Sequence, residues 1–173
     1  MYRVKKLSVR LKLGGEEITI LPPSMELIDR MTGASPSETA ALLTGRDLSE
    51  TDSLMVCEAV SEVLADAMSR PELAIPYYPD KKDDVPYDLF TSAEKIIAEY
   101  AKMSIDEVYR LDIYDYRMLL RDAVICNKMQ TDEGRKWLRN AHRLTQTAPD
   151  MEKLRKKFDI RKVAAKHGTE EKR

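Results

Sequence analysis

The sequence is poor in the residues that build disulfide frameworks and phosphate-binding loops. Its 173 residues include only two cysteines, six glycines and one tryptophan. Cys57 and Cys126 are too few for a disulfide framework, and free thiols are typical of the reducing cytoplasm. Six glycines leave little material for the glycine-rich loops that hold phosphate groups. These shortages disfavour a secreted disulfide scaffold and a protein built around a phosphate loop.

Long apolar runs and an excess of charge of one sign are also missing. No run approaches the roughly 20 residues of a membrane span, and no basic region followed by an apolar one marks secretion. Basic and acidic side chains number 29 and 30, which gives a net charge of −1. Charged residues make up 34% of the chain, and this share favours helices with solvated faces over a buried parallel sheet. We therefore expect a cytoplasmic protein that is not secreted and does not contact a membrane.

The clearest local pattern is a β-hairpin at about residues 4–21. Two runs of alternating apolar and polar residues flank Gly14-Gly15, and glycine tolerates the positive φ that two-residue hairpin turns need. An isolated hairpin is barely stable in water, so its apolar face must pack on helices or on another subunit. The register that puts the apolar side chains of both strands on one face pairs Leu11 with Ile18 and Val9 with Ile20.

The remainder of the chain predicts helices that begin at capping residues. Capping-box patterns start at Ser35, Thr91 and Ser104, and further caps are predicted at Ser24, Ser49 and Thr131. The whole pattern predicts a mainly α fold, with an N-terminal β-hairpin followed by a multi-helix bundle-like domain, α+β overall. The predicted helices end near Met31, Gly45, Arg70, Met129 (from about Ile113) and Phe158 (from Pro149 or Asp150).

Two of these helices carry apolar residues at helical spacing, which predicts their buried sides. The stripe of the helix that begins at Ser49 consists of Leu54, Cys57, Val60, Leu64, Ala67 and Met68. The stripe of the helix capped by Thr131 consists of Trp137, Leu138, Ala141 and Leu144.

The chain is expected to divide into four segments. Residues 1–70 form the hairpin and the first helices, and residues 91–158 form a second helical part. Residues 71–90 hold four of the eight prolines, with tyrosines among charged residues, and predict a long surface connection. A loop of about 20 residues is often functional. A charged tail, residues 159–173, ends the chain.

Catalytic and metal-binding chemistry has little support in the sequence. His142 and His167 do not stand in a metal-ligand spacing with either cysteine. Small buried hydrophobes are the better interpretation of Cys57 and Cys126, and a surface or half-buried position is the better interpretation of His142. We therefore assign no catalytic, cofactor-binding or metal-binding residue and expect no enzyme.

The carboxylates of Asp112 and Asp115, one turn apart, are the remaining candidates for an acid–base pair or a metal site. Arg117 and Arg121 lie close by in the sequence, with Arg121 within two turns of Asp115 and beside Asp122. Ion pairing and helix capping therefore explain all three aspartates without chemistry.

A basic segment near the C-terminus raises the question of nucleic acid. Residues 150–173 carry nine Lys or Arg and five Asp or Glu, so 9 − 5 = +4. The segment has few interleaved aromatic residues, and the sequence pI is about 6.2. Nucleic-acid binding is therefore not expected as the main role, and electrostatic docking of an acidic protein segment fits the segment equally well.

Four short strings in the second half carry a family resemblance. They are residues 115–123 (DYRMLLRDA), 130–138 (QTDEGRKWL), 146–150 (QTAPD) and 153–158 (KLRKKF). In this order, they make residues 112–158 similar to the tail assembly chaperones of tailed phages of low-GC Gram-positive hosts, or of related prophages and tailocins. The hairpin followed by helices also resembles the layout of siphophage and myophage tail chaperones, which is a likeness of architecture alone.

This resemblance implies a non-enzymatic function. Such chaperones coat the tape measure protein, a very long and mostly helical chain, and keep it in solution until tube subunits polymerise around it. The implied partners are helical segments of the tape measure protein and, as a second partner, the tail tube protein. The unpaired edges of the hairpin also favour a homo-oligomer. Two alternatives stay open: a structural virion component, such as a connector or baseplate part, and a small helical regulator that binds nucleic acid.

We expect the N-terminal half to bind the partner and the C-terminal half to act as a scaffold with a core of its own. The chain also holds nine methionines, whose flexible side chains adapt to irregular apolar partners. The candidate partner-binding residues are Leu11, Ile18, Ile20, Met25, Ile28, Met31, Leu54, Met55, Tyr77 and Tyr78. The candidate scaffold residues are Trp137, Leu138 and Leu144.

Overall fold

The computed structural model describes residues 4–79 and 90–146. The helix expected from Asp150 to about Phe158 and the charged tail lie outside the described residues, as does part of the expected connection, residues 80–89. The mainly helical α+β fold with an N-terminal hairpin is confirmed. In chain order the elements are β1 (Val9–Leu13), β2 (Glu16–Ile20), α1 (Met25–Met31), α2 (Pro36–Thr44), α3 (Glu50–Ser69), α4 (Ser92–Ala101), α5 (Ile105–Tyr109), α6 (Ile113–Met129) and α7 (Asp132–Gln146).

The hairpin has the predicted register. Strands β1 and β2 pair antiparallel, with Val9 opposite Ile20 and Leu11 opposite Ile18. Gly14 and Gly15 form the turn with φ of +57° and +92°, values that residues with a side chain rarely adopt. The alternation of the sequence and the turn chemistry therefore specify the same pairing.

Helix starts follow the predicted caps with one exception. The side chains of Ser24, Ser35, Ser49 and Ser104 accept hydrogen bonds from the first turns of α1, α2, α3 and α5. The hydroxyl of Thr131 accepts from the N–H of Gly134. The capping box predicted at Thr91 is wrong, because Thr91 has φ −101° and ψ 23°, outside the extended conformation that aims a cap side chain at the helix.

The apolar face of the hairpin is covered by helices of the same chain. Leu13 and Ile20 are buried with residues of α2 and α3, including Ala40, Val56 and Val60. The cover that the isolated hairpin requires therefore comes from α2 and α3.

The buried side of α3 differs from the predicted stripe. The buried residues of this helix are Ser53, Val56, Ala59, Val60, Val63 and Ala67. Leu54 and Met68, both predicted to be buried, are 53% and 60% exposed. The predicted period is right, and Val60 and Ala67 are buried as predicted, but the buried side is rotated by about 80° from the predicted one. The hairpin and α6 pack on α3 and determine which of its sides is buried. These contacts join residues far apart in the sequence, so the local pattern does not reveal them.

The two halves of the chain share a core instead of packing separately. Val63 and Ala67 of α3 are buried in one cluster with Leu73, Ile113 and Tyr114. Leu73 belongs to a short 3₁₀ turn, Pro71–Leu73, and is fully buried. The expected surface connection is therefore wrong at its beginning. Helix α6 also completes the core of the N-terminal half, so the C-terminal half does not pack independently of it.

Main-chain and side-chain bonds join the two halves at the start of α6. The N–H of Met25 donates to the carbonyl of Leu111 at 3.0 Å, and the N–H of Ile113 donates to the carbonyl of Pro23 at 3.1 Å. The buried hydroxyl of Tyr114 donates to Asp66 of α3 at 2.6 Å and accepts from the N–H of Leu7 at 3.3 Å. The first turn of α6 thus connects the N-terminal segment, α1 and α3.

A third hydrophobic cluster lies in the C-terminal half and is built by α4, α5 and α6. Its buried members are Ile97, Val108 and Tyr116. Helix α7 packs on α6 and buries only two residues, Gly134 and Ala141. A Cβ added at Gly134 would lie 2.0 Å from the carbonyl oxygen of Lys128, so the two helices approach at backbone distance there.

Tyr114→Phe should lower the free energy of unfolding by about 1–2 kcal/mol at neutral pH, because it leaves the N–H of Leu7 without its partner and Asp66 without one donor. Burial and the bond to Asp66 raise the pKa of Tyr114 to about 12. A raised folded-state pKa stabilises the protein below the unfolded pKa of about 10, and this contribution is lost as pH rises towards 12. Denaturant titrations between pH 7 and 12 should therefore show that the free energy of unfolding falls less steeply with rising pH in the variant than in the parent. Tyr77→Phe, at a side chain that is 73% exposed, is the matched control; equal alkaline slopes for both variants would contradict the prediction.

Gly134→Ala should destabilise the protein by about 1–3 kcal/mol, because the new methyl group collides with backbone of α6 that cannot move aside alone. The sign is informative, since alanine is favoured over glycine by about 1 kcal/mol inside a helix without such a contact. Arg139→Ala, at an exposed position of the same helix, controls for propensity. Chemical denaturation measures the free energy of unfolding of both variants. A Gly134→Ala variant as stable as the parent would show that α7 does not approach α6 as closely as described.

Candidate functional site

The aspartates considered for acid–base chemistry are tied up in structural contacts. The Nζ of Lys6 lies 2.5 Å from Oδ2 of Asp112 and 2.7 Å from Oδ2 of Asp115. Asp112 also caps α6 through the N–H groups of Tyr114 and Asp115. Burial lowers the pKa of Lys6, but the bonds to both carboxylates outweigh it and raise this pKa overall. Both aspartates thus help attach the N-terminal segment to α6.

The expected pairing of Arg121 with Asp122 is confirmed at 2.7 Å, whereas no described arginine forms an ion pair with Asp112 or Asp115. Arg117 donates to the carbonyl of Leu73 at 3.3 Å and to the sulfur of Met68 at 2.9 Å. Lys6 is 106 residues away from Asp112, so nothing in the local spacing identifies it as the partner.

Cys57, Cys126 and His142 do not come together as a metal-binding site. Cys57 is half-buried, and burial raises the pKa of its thiol. Cys126 is exposed, so the prediction of a buried position is wrong there: it lies in the last turns of α6, which α4 and α7 cover only in part. His142 is exposed on α7. Within residues 4–79 and 90–146, no group of three or more His, Cys, Asp or Glu residues could hold a metal ion.

The candidate partner-binding residues fall into separate environments. Ile20 is 2% exposed in the hairpin core and cannot contact a partner unless this core opens. Leu11, Ile18, Met25, Ile28 and Met31 are half-buried and pack against the core clusters. Tyr78 is half-buried beside Trp137. The accessible candidates are Leu54, Met55 and Tyr77, which are 53%, 38% and 73% exposed. The structure therefore does not bring the ten residues together in one groove.

Helix α3 instead presents a continuous surface on the side away from the core. Leu54, Glu58, Ser61, Ala65 and Met68, spaced by four and three residues, are all exposed and lie on one side of the helix. We call these five residues the outward face of α3. Met55 and Glu62 lie along its edge and are exposed too. An apolar residue at each end and small residues near the centre make this face suited to contact with another helix.

The outward face of α3 is also acidic. The helix contains no lysine or arginine, and its acidic residues are Glu50, Asp52, Glu58, Glu62 and Asp66. Asp66 bonds to Tyr114 and Arg70, which together lower the pKa of its carboxyl. Nothing in the part of the chain that the structure describes forms an ion pair with Glu58 or Glu62. A helix that binds here would gain from basic side chains beside its apolar stripe.

A second accessible surface is an apolar groove between the residues after α3 and the last helices. Its volume is about 580 Å³. Pro71, Ala74, Ile75 and Pro76 line one side, and α6 and α7 line the other. Its charged or titratable lining residues among those described are Arg121 and His142, so the groove lacks the acidic character of α3. The residues from α6 and α7 are Arg121, Ile125, Leu138, Ala141, His142, Thr145 and Gln146.

The three residues proposed as a scaffold do not form a core. Trp137 and Leu138 are half-buried, and Leu144 is 50% exposed. Trp137 meets the ring of Tyr78 edge-on at 6.4 Å between centroids, and the Nζ of Lys128 lies 4.6 Å from its ring centre. The prediction fails because α7 lies at the periphery and packs on α6 through small residues, which keeps its large side chains near the surface.

Comparison of the chain with protein-family models, curated proteins and solved structures finds no match. Among the described helices, none has the length and apolar content needed to cross a membrane.

Sequence patterns pointed to Leu54 and Met55 but missed the acidic face to which Leu54 belongs. The absence of basic residues from α3 was a usable signal, since a long helix normally mixes both signs of charge on its solvated side. The groove beside Pro71 gave no signal, because it is formed by residues that are about 50 to 75 positions apart in the chain.

Trp137→Ala should destabilise the protein by about 1–2 kcal/mol, less than the roughly 3–5 kcal/mol that truncation of a buried aromatic residue costs. The reason is the half-buried position of Trp137 outside the core clusters. Tyr114→Ala, at a fully buried ring, provides the comparison and should cost the larger amount. Thermal and denaturant unfolding of both variants measures the difference. If Trp137→Ala unfolds the protein as readily as Tyr114→Ala, the tryptophan belongs to the core after all.

Proposed function

We propose that this protein is a tail assembly chaperone of a phage, prophage or tailocin, and that it binds helical segments of the tape measure protein before the tube polymerises. The resemblance of residues 112–158 is the source of this proposal. The observation that carries it in the structure is the outward face of α3, an accessible, partly apolar and acidic helix surface.

The chemistry of this face defines the segment it would hold. Leu54 and Met68 are about 14 residues apart, which corresponds to roughly 21 Å of helix, or four turns. A partner helix with apolar residues at the same spacing would cover both side chains, and lysines or arginines beside them would meet Glu58 and Glu62. The proposed ligand is therefore a basic amphipathic helix.

Weak binding at each segment is sufficient for such a role. Covering exposed leucine and methionine side chains contributes on the order of 1–2 kcal/mol each. Many chaperone molecules along one very long chain would shield its apolar stripes from one another, and each molecule could still be displaced when tube subunits arrive. An enzyme-like pocket is not needed for this function.

The test is co-expression with the long helical chain encoded beside this protein, followed by measurement of how much of that chain stays in solution. The double variant Leu54→Gln/Met68→Gln should weaken binding by about thirtyfold or more, because it removes two apolar contacts of about 1–2 kcal/mol each. Its melting temperature should stay close to that of the parent, because both side chains are more than half exposed.

The chain offers a matched control for this variant. Leu144 and Met129 are 50% and 55% exposed, close to the values of Leu54 and Met68, but lie on α7 and α6. Leu144→Gln/Met129→Gln should keep the partner in solution. Release by the control pair alone would place binding in the C-terminal half, and failure of the unmodified protein to keep the partner in solution would refute the chaperone function.

The alternative of a structural virion component has a separate outcome. A chaperone is displaced during assembly, so mass spectrometry of purified mature tails should not detect this chain. Its presence in stoichiometric amounts would favour a connector or baseplate part.

A further inference from the structure

The part of the chain after α7 has the composition that the outward face of α3 would recognise. Residues 150–173 carry nine basic and five acidic residues, a net charge of +4. The helix predicted over 150–158 would align Met151, Leu154 and Phe158 within about 60° of one another, at intervals of three and four residues. Arg155 and Lys157 would flank this apolar stripe. This is the basic amphipathic pattern that complements an acidic, apolar helix face.

The described chain also ends in the right place. Gln146, its last described residue, lines the same groove as Pro71. Pro71 follows the end of α3 by two residues, so the chain leaves α7 across this groove from the residues that follow α3. Three residues, 147–149, can span up to about 10 Å and connect Gln146 to a helix that begins at residue 150.

The dimensions match as well. A helix over 150–158 is about 14 Å long, and the outward face of α3 extends about 21 Å from Met68 to Leu54. A segment that starts beside Met68 must run towards Leu54, antiparallel to α3. This direction places Leu154 near Ala65, and the basic residues that follow it near Glu62 and Glu58.

We propose that residues 150–158 of the chain dock on the outward face of α3, with Met151, Leu154 and Phe158 on its apolar residues and Arg155 and Lys157 beside Glu58 and Glu62. The nearby groove is the less suitable site, because its charged or titratable lining residues among those described are Arg121 and His142, with no carboxylate. The outward face also meets a basic group, Arg117 at Met68, but it offers the carboxylates of Glu58 and Glu62 to a basic segment. The docking does not depend on the proposed function. If a tape measure helix binds the same face, it has to displace this segment.

Disulfide trapping in the full-length chain, without any partner, tests the docking. In a Cys57→Ala/Cys126→Ala background, Ala65→Cys/Leu154→Cys joins the outward face to the segment. Ala74→Cys/Leu154→Cys joins the groove to it, and Thr19→Cys/Leu154→Cys reports on collisions with an exposed position of the hairpin, which packs on the opposite side of α3. The pair with Ala65 should form a monomeric disulfide about tenfold faster than the pair with Thr19, because docking raises the local thiol concentration.

Adding Glu58→Gln/Glu62→Gln to the Ala65 pair should slow its disulfide formation several-fold, and high salt should do the same. These substitutions lie on an exposed surface and should leave the melting temperature nearly unchanged, which separates lost docking from lost folding. Faster trapping with Ala74 than with Ala65 would overturn the proposal in favour of the groove. Equal trapping of all three pairs would overturn it in favour of an undocked segment. Disulfides found only in dimers would show that a second copy supplies the segment.

Discussion

The first turn of α6 is the structural feature on which the rest of the fold depends. Tyr114 is fully buried there and bonds to Leu7 before the hairpin and to Asp66 in α3. Lys6 reaches Asp112 and Asp115 on the same turn, and the main chain of Pro23 and Met25 pairs with residues beside it. Because these contacts come from segments far apart in sequence, the hairpin, α1, α3 and α6 are held in one arrangement by a small set of partly shielded polar bonds around a buried ring.

This arrangement determines which surfaces are available. The hairpin lies on α2 and α3, so its apolar face is buried in the core, while its polar face and its edges stay open. With α6 and the hairpin on one side of α3, the opposite side of this helix faces solvent over most of its length. Leu54 and Met68 are exposed for this reason. Exposed apolar residues are common in proteins taken singly, but their alignment with glutamates and small residues gives this side the character of a helix-binding surface.

The groove and the outward face of α3 are both partly apolar, and they differ mainly in charge. The groove beside Pro71 is the more concave of the two, yet it presents Arg121 and His142, whereas α3 presents carboxylates without a single basic residue. An amphipathic helix with basic flanks can distinguish these surfaces, and such a helix is both the ligand of the proposed chaperone function and the pattern of residues 150–158. One surface could thus hold the chain's own segment and a partner in turn, with the stronger binder deciding occupancy.

The sequence by itself determined the local structure: the hairpin with its register, the serine caps of α1, α2, α3 and α5, and the mainly helical class. Each of these depends on neighbours within a few residues, through alternation, positive φ at Gly14 and Gly15, or a side chain reaching its own helix. Tertiary structure alone decided which side of α3 is buried, that Leu73 joins the core, and that Trp137 stays near the surface. Those outcomes depend on which elements meet in space. Helical spacing alone does not distinguish an apolar stripe that faces the core from one on a neighbouring side of the same helix.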